Sequence, residues 1–173
     1  MKIIILAGGK GSRLFPLSCD DNPKQFLKIS SNKSLLAETI NRFSDIVLPT
    51  DIIVVTAEKY VKTVKREVTA CGVEGIHVIY EPVKRNTAPA IILAAKYCRD
   101  LLQCPEDEIL FISTADHIIQ PKSIFNQTVL KAVEYAAKGN FVTFGVQPNK
   151  PETGYGYIEI GQNLNGAYAI KAF

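Results

Sequence analysis

Cysteine and histidine are too few and too scattered to make a metal cluster. Cys19, Cys71, Cys98 and Cys104 form no C-x-x-C pair, and only His77 and His117 stand beside them, which excludes the usual zinc-ligand spacings. We expect reduced, cytosolic thiols rather than disulfides. Long apolar runs are missing too. The opening MKIIILAGG is interrupted by Gly8, Gly9 and Lys10 too early for an export signal. No segment approaches the roughly 18 uninterrupted apolar residues of a membrane-spanning helix. Charge of one sign is in short supply: 20 Lys and Arg against 17 Asp and Glu leave +3, too little and too dispersed for nucleic acid to be the main partner. Internal repeats, low-complexity tracts and long linkers are absent as well.

What remains is one domain's worth of chain, 173 residues with 47% hydrophobic content, enough to bury a core unaided. Residues 2 to 7 are nearly continuous aliphatics, the pattern of a strand covered on both faces. "SLLAETINRFSDI" then spaces Leu35, Leu36, Thr39, Ile40 and Phe43 at helical intervals, and "DIIVVTA" is a second buried strand. "EKYVKTVKREVTAC" sets Tyr60, Val61, Val64 and Val68 on one helical face and ends at Gly72, a natural left-handed cap. "IHVIY" is the next strand. "TAPAIILAAKYCRDLL" reads as a helix with Thr87 as its N-cap and Pro89 in its first turn. "EILFIST" is a further strand, "SIFNQTVLKAVEYAAKG" a helix stopping at Gly139, and "NFVTFGV" one more strand. This alternation predicts an α/β fold with a mainly parallel sheet and helices on both faces. From residue 147 the composition shifts to Pro, Asn, Gly and Tyr, followed by the alternating "GYIEI" and "AYAIKAF", which predict antiparallel or edge strands. The alternating pattern runs to Phe173 without a closing helix or turn, so the chain reads as part of a longer protein.

The segment LAGGKGSRLFPLS leaves the carboxyl end of the first strand, where open α/β sheets bind ligands. Its glycines at 8, 9 and 11 permit positive φ and close backbone approach, and Arg13 and Lys24 add full charges, so the loop is suited to phosphate. It is neither of two better-known phosphate loops. Leu14 stands where a dinucleotide fingerprint needs its third glycine, and Lys10 is followed by Gly11 rather than by Ser or Thr. An ordinary glycine turn with surface lysines is the alternative reading.

"GGKGSRLFPLS", "NPKQF", "EPVKRNTAPAI", "ADH" and "PETGYGYIEI" together, in order and spacing, resemble the mannose-1-phosphate guanylyltransferase family, including its members fused to a mannose-6-phosphate isomerase domain. The resemblance spans nearly the whole chain. It implies a three-layer, Rossmann-like nucleotidyltransferase fold of GT-A type, with residues 1–146 as the nucleotide-binding part and 147–173 as the start of the sugar-binding part. It implies GMP transfer from GTP to mannose 1-phosphate, giving GDP-mannose and pyrophosphate in the cytoplasm with Mg²⁺ as cofactor. Neither nucleic acid nor membrane is an expected partner, and a homo-oligomer is left open. A related transferase with another nucleotide or sugar phosphate is the alternative, and beyond it a non-catalytic nucleotide-binding module.

By the same resemblance Arg13, Lys24 and Asp116 are the catalytic residues. Leu6, Ala7, Gly8, Gly9, Gly11, Ser12 and Arg13 surround the triphosphate, with Arg13 on the departing β and γ phosphates. Glu81, Arg85, Asn86 and Thr87 face the base or ribose, although helix capping would equally explain Asn86 and Thr87. Asp116 resembles the metal-binding aspartate, and His117 has a supporting place. Gly154, Tyr155, Gly156 and Glu159 form the sugar side, a plain β-turn being the alternative. Family members continue past residue 173 with an "EKP" lysine and a second metal-binding aspartate, so this chain is expected to bind GTP weakly and to turn over slowly or not at all.

Overall fold

The computed structural model describes residues 1–9, 14, 16–83 and 86–173. Residues Met1–Asn140 and Phe141–Phe173 form two compact units.

In the first unit, strands β1 (Lys2–Leu6), β2 (Ile52–Ala57), β3 (His77–Glu81) and β4 (Leu110–Thr114) form one sheet in the order β3-β2-β1-β4. Every pairing in it is parallel. The helices are α1 (Leu35–Phe43), α2 (Val61–Ala70), α3 (Thr87–Asp100) and α4 (Lys122–Ala136).

Successive residues of a strand point to opposite faces, and both faces of β1 and β2 are covered. Ile3, Ile5, Ile52 and Val54 pack with Leu36, Ile40 and Phe43 of α1 and Val64 and Val68 of α2. Ile4, Ile53 and Val55 point the other way, against Ala90, Ala94 and Cys98 of α3. The small alanines let α3 approach the sheet closely. Phe43, Phe111 and Phe125 form an edge-to-face trio that joins α1 and β4 to α4. An aliphatic side chain of this kind contributes about 1.5–3 kcal/mol when fully buried, so the uninterrupted runs at 2–6 and 52–57 supply much of the stability.

Local signals set the helix ends. Ser34 caps α1 by accepting from the Ala37 amide at 3.1 Å, a contact worth about 1 kcal/mol. Gly72 and Gly139, with φ of 71° and 82°, follow α2 and α4.

Three expectations need correction. Thr87 is the first residue of α3 rather than its cap; Asn86 holds the cap position, with φ 63° and ψ −164° and no side-chain capping bond. Segment 140–146 is not a strand, because a strand requires a hydrogen-bonded neighbour and this segment pairs with none among the described residues. Its apolar character alone does not create one. Gly8 and Gly9 lie outside the positive-φ region, so what their missing side chains provide is space.

The second unit is a two-stranded antiparallel sheet of β5 (Glu159–Asn163) and β6 (Tyr168–Ala172). Among the described residues, no helix is long and apolar enough to cross a membrane.

Candidate functional site

The strand order makes a crevice. The chain steps outward from β1 to β2 to β3, then returns to place β4 on the other flank of β1. Loops leaving β1 and β4 therefore diverge at their carboxyl ends, which is where open α/β sheets take ligands. Gly8 and Gly9 leave β1 on that edge and Asp116 follows β4.

The NPKQF segment completes the crevice. Pro23, with φ −68°, leads into a 3-10 turn, Lys24–Phe26. The Gln25 side chain, only 3% exposed, donates from Nε2 to the carbonyls of Ala7 at 2.9 Å and Gly9 at 3.0 Å. Phe26 meets the Tyr60 ring edge to face, and the Tyr60 hydroxyl donates to the Asp20 carbonyl at 2.8 Å. A segment with no strand of its own is thereby held to the ends of β1 and β2.

That anchoring aims Lys24. Its Nζ lies 3.2 Å from Asp116 Oδ2, an ion pair between residues 92 positions apart in the chain. Partial burial of Asp116 works to raise its pKa, but the hydrogen bond and charge of Lys24 outweigh it, with smaller help from Thr114 and His117. The net pKa is below the ordinary carboxylate value. His117 Nε2 stands 3.9 Å from Asp116 Oδ1, and His117 Nδ1 is 3.2 Å from Thr114 Oγ1.

On the β2–β3 side, a cleft of about 260 Å³ is lined by Gly8, Ala57, Glu58, Lys59, Tyr60, Glu81 and Pro82. Glu81 is buried at the end of β3. A Cβ on Gly8 would sit 3.3 Å from Glu81 Oε2 and 3.6 Å from the Ala57 amide, so any larger residue there would press on the Glu81 carboxylate. The Asn86 backbone, at the start of α3, occupies a conformation that side-chain-bearing residues seldom adopt and that is enriched at ligand-binding sites.

Leu6 and Ala7 contribute differently. The Leu6 carbonyl accepts from the Ala115 amide at 3.1 Å, and the Ala7 amide donates to the Val55 carbonyl at 2.7 Å. The Ala7 carbonyl takes both Gln25 and Thr56. These backbone groups are engaged within the protein and shape the loop's root. Gly11, Ser12, Arg13 and Arg85 lie outside the described residues.

Gly154, Tyr155, Gly156 and Glu159 belong to the second unit. There the Gly154 amide donates to Glu152 Oε1 at 3.2 Å, and the Tyr157 hydroxyl bridges the Glu152 backbone, accepting from its amide at 2.7 Å and donating to its carbonyl at 3.1 Å. The segment 152–157 is a turn closed by its own hydrogen bonds. The Tyr155 ring is exposed, and Glu159 pairs with Lys171.

Three residues that sequence reasoning passed over help to build the crevice. Gln25 stands inside NPKQF beside the charged Lys24, and its uncharged amide carries no sequence signal of its own. Tyr60 was read only as a core position. Arg42 had a legible signal: it stands at i+7 from Leu35 and i+3 from Thr39, on the apolar stripe of α1. It is 4% exposed, lies over the Phe125 ring and donates from Nη2 to the His117 carbonyl at 2.6 Å. That bond fixes the turn that carries Asp116.

Among the described residues, no three His, Cys, Asp or Glu side chains gather as a metal cluster. A lone hard carboxylate nevertheless suits Mg²⁺, which is commonly held by one or two carboxylates together with substrate phosphates and water. The donor chemistry of Asp116 fits that ion.

Comparison with known proteins follows the same lines. A family model described as nucleotidyl transferase matches residues 2–173. The mannose-1-phosphate guanylyltransferase RfbM of Salmonella typhimurium is 42% identical over 98% of this chain, which spans 35% of that protein. The mannose-1-phosphate guanylyltransferase of Klebsiella pneumoniae is 41% identical over 93% of this chain and 33% of its own length. A Thermus thermophilus crystal structure, named as a mannose-1-phosphate geranyltransferase, superposes with a TM-score of 0.86 at 31% identity, covering 98% of this chain and 48% of its own. The chain thus spans about a third of the length of the curated relatives it matches. With its parallel sheet, its crevice beside β1 and this match over almost every residue, the chain belongs to the nucleotidyl transferase family.

Proposed function

We propose that this chain is the nucleotide-binding part of an enzyme that transfers GMP from GTP to mannose 1-phosphate, forming GDP-mannose and pyrophosphate. The observation that carries the reading is the Lys24–Asp116 pair at the crevice between β1 and β4, beside the glycine loop. The names of the relatives support the choice of substrates.

In this reading the sugar phosphate is the nucleophile, and one of its oxygens attacks the α-phosphorus in line as pyrophosphate leaves. The protein supplies alignment and charge neutralisation. Gly8 and Gly9, with Gly11 and Ser12, let the triphosphate approach the backbone, and Arg13 forks onto the departing phosphates. Lys24 neutralises charge near the reacting phosphorus. Asp116 holds Mg²⁺, which when bound offsets charge on the phosphate oxygens. Glu81 suits a guanine: its carboxylate is an acceptor, and guanine presents the N1 and N2 donors that adenine lacks. Arg85, Asn86 and Thr87 flank the base and ribose. Residues 147–173 begin the sugar side, with Gly154, Tyr155, Gly156 and Glu159 toward the hydroxyls. The work belongs to the cytoplasm, the compartment suited to four unpaired thiols.

Calorimetric titration with GTP, ATP, dTTP and UTP in Mg²⁺ buffer tests the proposal. GTP is expected to bind most tightly, and Asp116→Asn to weaken it. Equal affinity for all four, or tighter binding of UTP or dTTP, refutes the assignment of guanine. Robust GDP-mannose synthesis by the 173-residue chain would show that it needs no further carboxylate.

A further inference from the structure

The backbone that carries Lys24 is pinned while its side chain is not. Pro23 precedes it, Gln25 is buried with both amide bonds on the Ala7 and Gly9 carbonyls, and Phe26 packs against Tyr60. The Lys24 side chain is a flexible stem that ends as a point charge, and it rests on Asp116 Oδ2. The Lys24 ammonium and a divalent cation are both drawn to this one carboxylate, and each repels the other. Among the described residues, the other titratable group beside this carboxylate is His117, whose Nε2 is 3.9 Å from the opposite oxygen and offers Lys24 no alternative acceptor. A polyphosphate does offer one.

From this geometry, and resting on the reading of Asp116 given above, we infer that Lys24 makes Asp116 selective for a divalent cation delivered as its polyphosphate complex over the free cation. A free cation must either displace Lys24 from Oδ2 or settle on Oδ1 beside an ammonium that repels it. The complex brings phosphate oxygens that receive Lys24 as the cation takes Asp116, so neither charge is stranded. Cation and polyphosphate then tighten each other's binding, and by linkage the factor is the same in both directions.

The probes are Mn²⁺, with the free ion counted by electron paramagnetic resonance, and Mn²⁺ with inorganic tripolyphosphate. Lys24→Met is expected to tighten Mn²⁺ alone on the order of fivefold, the worth of a partly exposed ion pair. The same change is expected to weaken the Mn²⁺–tripolyphosphate complex about tenfold, by loss of a charge-assisted contact. Adding Asp116→Asn to Lys24→Met should abolish the gain for free Mn²⁺. Lys24→Gln serves as a second variant if circular dichroism shows that Lys24→Met does not fold. Unchanged or weaker binding of free Mn²⁺ by a folded Lys24 variant overturns the inference. If Asp116→Asn still weakens the complex in that case, the functional reading survives and the inference alone is lost. If Asp116→Asn changes neither ligand, both are lost.

Discussion

Gln25 ties its own turn to the root of the loop after β1: its side-chain amide donates to the Ala7 carbonyl at 2.9 Å and to the Gly9 carbonyl at 3.0 Å. The turn that carries Lys24 and the residues that leave β1 are therefore held together by one side chain.

Gln25→Leu keeps the volume and removes both donors. A buried hydrogen bond lost with its acceptor left unsatisfied costs about 1–3 kcal/mol, and the Gly9 carbonyl stands to lose most, since Ala7 keeps its bond from Thr56. We expect urea unfolding to show destabilisation in that range and GTP affinity to fall as Lys24 loses its footing. A variant with unchanged stability and unchanged affinity would remove Gln25 from the site.

Gly8 and Gly9 are adjacent, yet they should respond differently to alanine. At Gly8 the new Cβ meets Glu81 Oε2 at 3.3 Å, whereas at Gly9 nothing lies within 4 Å. Gly8→Ala is expected to destabilise by about 1 kcal/mol, as mild overpacking does, and to displace Glu81 from the cleft. Gly9→Ala should stay within about 0.5 kcal/mol of the parent. Thermal unfolding of the two variants side by side decides it, and equal effects would contradict the packing described here.

Burial on the sheet-facing side of α3, reinforced by the neighbouring Cys104, raises the Cys98 thiol to about 11 from an ordinary value of 9.0. The folded state holds this proton more tightly than the unfolded chain does. The associated stability is therefore fully present below pH 9 and is lost as pH rises from there through about 11. Urea midpoints measured across that window should fall, and Cys98→Ala should flatten the fall even though it lowers stability throughout. An identical slope in the variant would mean that other groups carry the alkaline loss.

The fold was legible where one face pattern admits one solution. Ile3, Ile4 and Ile5 in succession announce a strand covered on both sides, because no single face can bury consecutive residues. Leu36, Ile40 and Phe43 announce the buried face of α1 in the same way. The segment 140–146 was misread because apolar residues state a preference for burial and not the identity of a hydrogen-bonding neighbour. Asn86 displaced Thr87 as cap because its backbone conformation at φ 63° depends on the surrounding chain more than on a local capping preference. In the candidate site, Gly8, Gly9 and Asp116 were legible as positions following a strand, whereas Lys24 was singled out by the family resemblance and its meeting with Asp116 is visible only in the fold. Burial of Arg42 was legible from its place on the apolar stripe of α1, but its partner, like those of Gln25, was not, because both donate to backbone carbonyls and a carbonyl carries no residue identity.

By itself the amino-acid sequence determined the alternation of buried strands and amphipathic helices, since burial and periodicity are properties of neighbouring side chains. It also determined where charged side chains and glycines fall relative to those strands. Only the tertiary structure decided that β4 returns to flank β1, because parallel pairing is chosen by competition among distant strands of similar apolar character. That choice brought Asp116 to Lys24 across 92 positions, as an ion pair at the carboxyl end of the sheet that no local pattern encodes.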